Sequence, residues 1–245
     1  MSLRILLANA NTTAAVTGIC AAAARAAAAP GTEIVPATPR FGPAIIASRA
    51  ENAIAAHGML DCLAAQHEGC DAAVLAVSYD TALAAARQLL PIPVLGMTEA
   101  ACLTACMLGG RFGLVTFSSA ELYRELVASY GLAARLSGIG LVAASPYDAA
   151  SDPDAVAAKV AEAARGLARD GADAVILGGA ALAGMGGRIQ PEVPVPLVDG
   201  IAAAVRLAEA VVPLGLRKPG AGSYAAPSGR ASVGLGGALE ALLRG

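Results

Sequence analysis

Short apolar runs alternate along the chain with longer segments in which apolar residues recur at helical spacing. The run Leu3–Ala8 predicts a buried strand, and the segment after Thr12-Thr13 predicts a helix. Ser48 to about His67 has the pattern of an amphipathic helix. Further strands are predicted at Glu33–Val35, Ala72–Val77, Val94–Gly96, Arg111–Phe117, Ala174–Leu177 and Val195–Val198, and further helices at Thr81–Leu90, Thr98–Leu108, after Ser118, after Asp152, after Gly200 and over Leu235–Leu243. Strands that alternate with helices predict parallel sheets covered on both faces.

Three polar residues stand where helices are expected to begin. Ser118 and Glu121 have the spacing of a capping box, and Asp152 precedes Pro153 as an N-cap precedes the first helical residue. Asp80 is expected to cap the helix that starts at Thr81.

The second half of the chain repeats the first. The aligned segments are Arg4–Asn9 with Arg111–Thr116, Gly69–Ala76 with Gly171–Gly178, and Pro91–Gly96 with Val193–Val198. Such similarity predicts an α/β protein of two pseudo-symmetric lobes, each a three-layer unit with a parallel sheet. Residues 1–97 plus 208–245 form the expected first lobe and 98–207 the second, with the tail from Gly215 packed on the first. Ligands are expected at the carboxyl ends of the strands, in a cleft between the lobes.

Composition and charge exclude several classes of partner and location. The 245 residues carry a net charge of −2 without a basic block, so neither nucleic acid nor an anionic membrane surface is an expected partner. No stretch reads as a transmembrane helix, and Asn9 and Asn11 end the first apolar run too early for a signal peptide. An odd number of cysteines, five, fits no disulfide framework. A cytoplasmic protein is expected.

Five ordered segments resemble hydantoin and allantoin racemases of the aspartate/glutamate/hydantoin racemase superfamily. Asn9-Ala10-Asn11-Thr12-Thr13 is similar to their Asn-Pro-Asn-Thr-Ser/Thr opening, and Asp80-Thr81-Ala82-Leu83 to their Asp-Pro-Gly-Leu. The other three are Gly96-Met97-Thr98-Glu99-Ala100-Ala101, Val115-Thr116-Phe117 and Pro196-Leu197-Val198-Asp199-Gly200. The resemblance runs from residue 3 to about residue 225. Within the superfamily, chains labelled hydrogenase expression protein resemble this one more closely still.

The resemblance implies proton abstraction by one thiolate and donation by a second thiol on the opposite face of a planar carbanion, without a cofactor. The family's first cysteine lies three residues before the Asp of Asp-Pro-Gly-Leu, which is Val77 here, and its second follows Leu-Gly, which is Gly179. Both positions are equivalent in the internal repeat. Since neither side chain carries a proton, the two-thiol mechanism does not apply unchanged.

The substrate-binding candidates lie where strands end. They are Asn9, Asn11, Thr12, Ser78, Tyr79, Thr116, Gly178, Gly179 and Ala180. Asn9, Asn11 and Thr12 suit a carboxylate or ring carbonyl at a helix N-terminus, although they also suit ordinary capping. Backbone N–H groups at Ser78 and Tyr79 suit an oxyanion. Ser118 is expected to serve as a cap, which makes Thr116 the ligand candidate of that turn.

Tyr79 and Cys102 are the alternative proton carriers, and Asp80 is a further acid or base. Cys102 and Cys106 lie four residues apart on one helix face, in a spacing that matches no zinc motif. Packing as small hydrophobic side chains is their default role. Cys20, Cys62 and Cys70 are expected to pack, and His57 and His67 to face solvent. No metal and no cofactor are expected.

These observations lead to a racemase-type enzyme for a small hydantoin-like, amino-acid or dicarboxylate substrate, assembled as a homo-oligomer. Two alternatives stay open: a binding or accessory protein without catalysis, and a changed reaction, hydrolysis or decarboxylation, in the same cleft.

Overall fold

The framework consists of two four-stranded sheets in which every strand pairing is parallel. The structure is a computed structural model, and it describes residues 2–144, 148, 151–227 and 229–244. The chain divides into two compact units, the first from the described residues of Met1–Gly96 and Ala204–Gly245, the second from those of Met97–Ala203. The α/β class expected from the alternating pattern is confirmed.

Unit 1 contains a sheet of strand order β2-β1-β3-β4. Its strands are β1 (Arg4–Ala8), β2 (Glu33–Ala37), β3 (Ala72–Leu75) and β4 (Val94–Gly96), and its helices include α1 (Ala14–Ala27), α2 (Arg49–Gln66) and α3 (Leu83–Leu89). All four residues of β3 are buried, as expected of a central strand covered on both faces. Ser48 and Glu51 form a capping box at the start of α2, which fixes the predicted start of that helix.

Unit 2 contains a second sheet, of order β6-β5-β7-β8. Its strands are β5 (Phe112–Thr116), β6 (Leu136–Leu141), β7 (Ala174–Gly178) and β8 (Leu197–Asp199). Helix α4 (Met97–Leu108) precedes β5, helices α5 (Ala120–Ser129), α6 (Pro153–Arg169) and α7 (Gly186–Ile189) follow β5, β6 and β7 in turn, and α8 (Gly200–Val211) follows β8. Asp152 accepts a hydrogen bond from the Ala155 N–H and Pro153 opens α6, as predicted.

The internal repeat is visible in equivalent hydrogen bonds within each unit. The Arg4 N–H donates to Asp71 Oδ2 at 2.7 Å, and the Arg111 N–H donates to Asp173 Oδ2 at 2.9 Å. The return bonds, from Asp71 N to Arg4 O and from Asp173 N to Arg111 O, are both 2.8 Å long. The two units therefore repeat one strand order, and the pairings β1–β3 and β5–β7 share one register.

Several local predictions are wrong. Ser119, not Ser118, caps α5, since its side chain accepts the Leu122 N–H. The Ser118 N–H donates to the Thr116 hydroxyl instead. Helix α3 begins at Leu83, and its N-cap Ala82 has no side-chain cap, so Asp80 does not cap it. His67 is buried at the end of α2, where its Nδ1 lies 3.0 Å from the Ala64 carbonyl oxygen.

The tail returns to unit 1. Helix α9 (Gly237–Arg244) packs on α2, and Leu239 joins Ala64 and Leu89 in a small apolar cluster. Lys218 Nζ donates to the Gln88 carbonyl oxygen, which ties the irregular segment before α9 to the end of α3.

Candidate functional site

Polar side chains and glycines gather at the carboxyl ends of strands in both units. In unit 1 they belong to the turn after β1, which contains Asn9, and to the turn after β3, which contains Val77. In unit 2 they belong to the turns after β5 and β7, which contain Thr116 and Gly179. Parallel sheets bind ligands at this edge, so these turns contain the candidate functional residues of each unit.

The turn after β1 is held by Asn9. Its side chain is 1% exposed, its Nδ2 donates to Asn11 Oδ1 at 2.9 Å, and its Oδ1 accepts the Asn11 N–H at 3.2 Å. Asn11 Oδ1 also accepts the Thr13 N–H at 3.0 Å. The Asn9 side chain therefore holds the shape of the turn.

Asn11 and Thr12 differ from Asn9 because both are partly exposed. Within the described part of the chain, the Asn11 Nδ2 and the Thr12 hydroxyl have no hydrogen-bond partner. The Thr12 N–H donates to the Pro43 carbonyl oxygen at 3.1 Å, which fixes the backbone. Two neutral donors at the start of α1 are thus available to a carbonyl or carboxylate oxygen.

The turn after β5 is the counterpart of the Asn9 turn. Thr116 Oγ1 accepts the Ser118 N–H at 3.1 Å, as Asn9 Oδ1 accepts the Asn11 N–H. Thr116 is 1% exposed, so its hydroxyl, like the Asn9 side chain, lies inside the turn.

The turn after β3 begins at Val77. The Asp80 N–H donates to the Val77 carbonyl oxygen at 3.0 Å, which places Ser78 and Tyr79 at the two corners. Tyr79 is 7% exposed and Ser78 is partly exposed. Asp80 has a φ of 46° and Ala82 a φ of 65°, in a region that residues other than glycine rarely adopt. Such strain is concentrated at functional turns.

The turn after β7 closes in the same way. The Leu182 N–H donates to the Gly179 carbonyl oxygen at 2.9 Å, the bond that corresponds to Asp80 N and Val77 O. Gly179 has a φ of 149°, and a Cβ built on it would have no heavy atom within 4 Å. Val77 and Gly179 are thus the first residues of equivalent turns, as the repeat in the sequence predicts.

The five cysteines lie on helices or, for Cys70, just before β3, and none belongs to the turns described above. Cys102 on α4 is 0% exposed, and Cys106, one helical turn later, is partly exposed. Burial, with a smaller contribution from the nearby Asp61 carboxylate, raises the pKa of Cys62 to about 11. Burial likewise raises the pKa of Cys70, so Cys62 and Cys70 are kept as neutral thiols near pH 7.

One residue with a clear role at this edge was not found by reasoning from the sequence. Asp199, the last residue of β8, accepts hydrogen bonds from the backbone N–H groups of Gly184, Ile201 and Ala202. The signal was present, because Asp199-Gly200 opens a predicted helix and an Asp before a helix suggests a cap. The bond to Gly184 is a long-range contact that no local pattern indicates.

Neither a metal site nor a membrane span emerges from the described residues. They contain no group of three or more His, Cys, Asp or Glu side chains that could hold a metal ion. No helix in the same residues is long and apolar enough to cross a bilayer.

Comparison with known proteins places this arrangement in a family. The profile of Asp/Glu/Hydantoin racemase matches residues 5–208. The hydantoin racemase of Pseudomonas sp. (strain NS671) is 34% identical over 236 residues, which cover 95% of this chain and 95% of the relative. The solved allantoin racemase of Pseudomonas fluorescens is 34% identical, with a TM-score of 0.90 over 95% of this chain and 100% of the other. The allantoin racemase of Klebsiella pneumoniae is 37% identical, with a TM-score of 0.90 over 97% and 99% of the two chains.

The match covers both sheets and is therefore a match of the whole two-unit framework, not of a single motif. The three relatives named above are racemases. The chain belongs to the Asp/Glu/hydantoin racemase family.

Proposed function

We propose that the protein racemises a small hydantoin-like cyclic amide by moving the proton on its ring stereocentre, without a cofactor. The observation that carries the proposal is the donor pair Asn11 Nδ2 and Thr12 Oγ1, open at the start of α1 in a chain 34–37% identical to hydantoin and allantoin racemases. Amino acids and dicarboxylates, which also present carbonyl or carboxylate oxygens, are the second substrate class.

The proposed chemistry follows from the acidity of a carbon next to a carbonyl. Removing its proton places negative charge on the carbonyl oxygen, and fixed N–H and O–H donors lower the barrier most when they meet that charge. Asn11 and Thr12 supply side-chain donors, and the first turn of α1 adds the positive end of a helix dipole. Asn9 and Thr116 hold their turns, while Gly178, Gly179 and Ala180 admit the substrate closely because they lack bulk.

The proposal also requires a side chain that removes and returns the proton. Val77 and Gly179 stand where the family resemblance implies thiols, and neither holds an exchangeable side-chain proton. Tyr79 occupies a corner of the Val77 turn and is our first candidate, with Ser78 beside it as a donor. Cys102 is the second candidate, and its complete burial means that it would need a local opening to meet a substrate.

The decisive measurement is solvent exchange at the stereocentre. Purified protein is mixed with L-5-benzylhydantoin in D₂O, and loss of the ring C–H signal is followed by NMR beside the loss of optical activity. We expect exchange above the rate without protein. Absence of exchange with hydantoins, allantoin, aspartate and glutamate would overturn the proposal.

Three variants assign the roles. Asn11→Asp keeps the Oδ1 that holds the turn but replaces the Nδ2 donor, so we expect kcat/KM to fall about 100-fold. Tyr79→Phe should abolish exchange if the phenol carries the proton, and Cys102→Ala if the thiol does. Tyr224→Phe, in the tail, and Cys20→Ala, equally buried on α1, are the matched controls.

A second candidate function is favoured by the missing thiols: a binding protein, or an enzyme of changed reaction, on a racemase framework. Here wild type would show no exchange, while Val77→Cys combined with Gly179→Cys would gain it. The φ of 149° at Gly179 strains any other residue, so Gly179→Ala is needed to separate backbone strain from the effect of the thiol.

We propose further that the protein is cytoplasmic and forms a homo-oligomer. Its five cysteines are free thiols, which suits a reducing compartment.

The homo-oligomer is supported by an apolar strip on α4, exposed by Leu103, Met107 and Leu108, that a second copy would cover. Light scattering during size-exclusion chromatography checks the assembly.

A further inference from the structure

Asp199 joins two elements of unit 2 through its two carboxylate oxygens. Oδ2 accepts the Gly184 N–H at 2.6 Å. Oδ1 accepts the N–H groups of Ile201 and Ala202 at 2.9 and 3.0 Å. The second pair of bonds is an N-cap of α8, whereas the first is a tether to the turn after β7. A short bond from an N–H to a carboxylate is charge-assisted and stronger than a neutral one.

The tethered segment is the turn that contains Gly179. From Gly179 to Met185 the chain runs through successive turns, closed by Leu182 N to Gly179 O at 2.9 Å and by Met185 N to Leu182 O at 3.1 Å. Leu182 is 0% exposed, and strand β7 anchors the segment at Gly178. Gly184 is exposed and adopts a φ of 78°. The carboxylate of Asp199 therefore fixes the far end of a segment whose near end is Gly178-Gly179-Ala180.

Unit 1 also has a carboxylate between the turn after its third strand and the end of its fourth strand. In unit 1 the carboxylate belongs to the turn, whereas in unit 2 it belongs to the fourth strand. In the register of the sheets, Leu75 pairs with Gly96 as Leu177 pairs with Asp199. Gly96 is thus the counterpart of Asp199, which corrects the sequence alignment by one residue, since that alignment pairs Gly96 with Val198. The Asp80 carboxylate occupies the space above Gly96, since a Cβ on Gly96 would lie 2.3 Å from Asp80 Cγ. Each unit places one carboxylate between its third-strand turn and the end of its fourth strand.

We propose that Asp199 is a positioning residue for the substrate-binding turn Gly178-Gly179-Ala180, in addition to its role as a helix cap. The inference rests on the proposed function for the identity of that turn. Asp199 does not touch the reacting atoms. It sets the backbone that does, and displacement of such a backbone by about 1 Å costs on the order of 100-fold in rate.

Asp199→Ser separates the two roles. Serine is as good an N-cap as aspartate but is too short to reach Gly184 as well. If positioning is the role, Asp199→Ser and Asp199→Ala should lose kcat for hydantoin exchange alike, by about 10- to 100-fold, while the Ser variant, which keeps the cap, loses less of the wild-type thermal midpoint than the Ala variant. If Asp199 only caps α8, the Ser variant keeps the wild-type kcat and the inference is wrong.

A readout without turnover distinguishes failure of this inference from failure of the proposed function. In Asp199→Ser, the Gly184 amide should exchange with solvent faster than in wild type, and the amide NMR signals of Gly179 and Ala180 should shift, while the Ile201 and Ala202 amides stay protected. If wild type turns over no hydantoin, the proposed function fails, and these signals alone decide the tether. Unchanged Gly179 and Ala180 signals would overturn it.

Discussion

At the residue scale, the turn after β3 shows how the chain departs from the local preferences of its residues. Asp80 and Ala82 have positive φ angles, which side chains with a Cβ adopt at a cost of about 1–2 kcal/mol. The equivalent of Ala82 in unit 2 is Gly184, which has a φ of 78°. Glycine also stands at this place in the Asp-Pro-Gly-Leu segment of the racemases that the chain resembles. At position 82 glycine would adopt this backbone conformation without strain, whereas alanine adopts it at a cost in free energy.

Ala82→Gly should raise the free energy of unfolding by about 1 kcal/mol, because it removes the strain of a left-handed alanine. Ala85→Gly, at an exposed position inside α3, is the matched control and should lower it by about 1 kcal/mol through the helix propensity of glycine. Urea unfolding measures both. Equal losses in the two variants would contradict the strain argument.

At the scale of elements, helix α8 is fastened to the turn after α1 by one carboxylate. Glu209 Oε1 accepts the Ala29 N–H and the Thr32 hydroxyl, both at 2.7 Å, and Oε2 accepts from Arg206 at 3.0 Å. Burial by itself would raise the pKa of Glu209. The hydrogen bonds from Thr32 and Ala29 and the ion pair with Arg206 outweigh it, so the pKa is lowered.

The lowered pKa makes this contact depend on pH. Its stabilisation is complete above the pKa of glutamate in the unfolded chain, about 4.3, and is lost as the pH falls through the lower folded value. Glu209→Gln should lower the free energy of unfolding by about 1–2 kcal/mol at pH 7, and by less at pH 3. Urea titrations at both pH values test this. Glu68→Gln, at an exposed position, should leave both values unchanged.

At the scale of the whole molecule, the tail completes the surface of unit 1. Leu239 of α9 is 3% exposed and packs with Ala64 and Leu89, and Leu60, Leu235, Leu242 and Leu243 surround this cluster. The buried Asp61 carboxylate pairs with Arg40 at 3.0 Å and lies against Gly236, where a Cβ would be 2.2 Å from its Oδ1. The last residues are thus part of the core rather than an appendage.

Leu239→Ala should destabilise the protein by about 2–4 kcal/mol, because the substitution leaves a cavity between α9 and α2. Val233→Ala is the control, because Val233 is 98% exposed and its change should stay within about 0.5 kcal/mol. Thermal or urea unfolding measures both. A loss below about 1 kcal/mol for Leu239→Ala would mean that α9 does not contribute to the core.

The sequence alone determined the alternating α/β pattern, the internal repeat and the family. Buried central strands such as β1 and β3 are continuous apolar runs, and helix starts such as Ser48 and Asp152 carry local caps, so both can be read without a partner. The turns at Val77 and Gly179 also followed from the repeat, because equivalent strands end at equivalent residues.

Tertiary structure decided what depends on distant residues. Strand β6, which contains Gly138 and Gly140, is not among the strands predicted from the sequence. A Cβ on Gly138 would lie 3.1 Å from Leu167 Cδ2, so glycine is what allows α6 to pack closely on this edge strand. The cap of α5 is Ser119 rather than Ser118, whose N–H donates to the Thr116 hydroxyl. Asp199 holds Gly184 across 15 positions of the chain. Local pattern specifies what a residue can do, and the register of the sheet decides which distant group it meets.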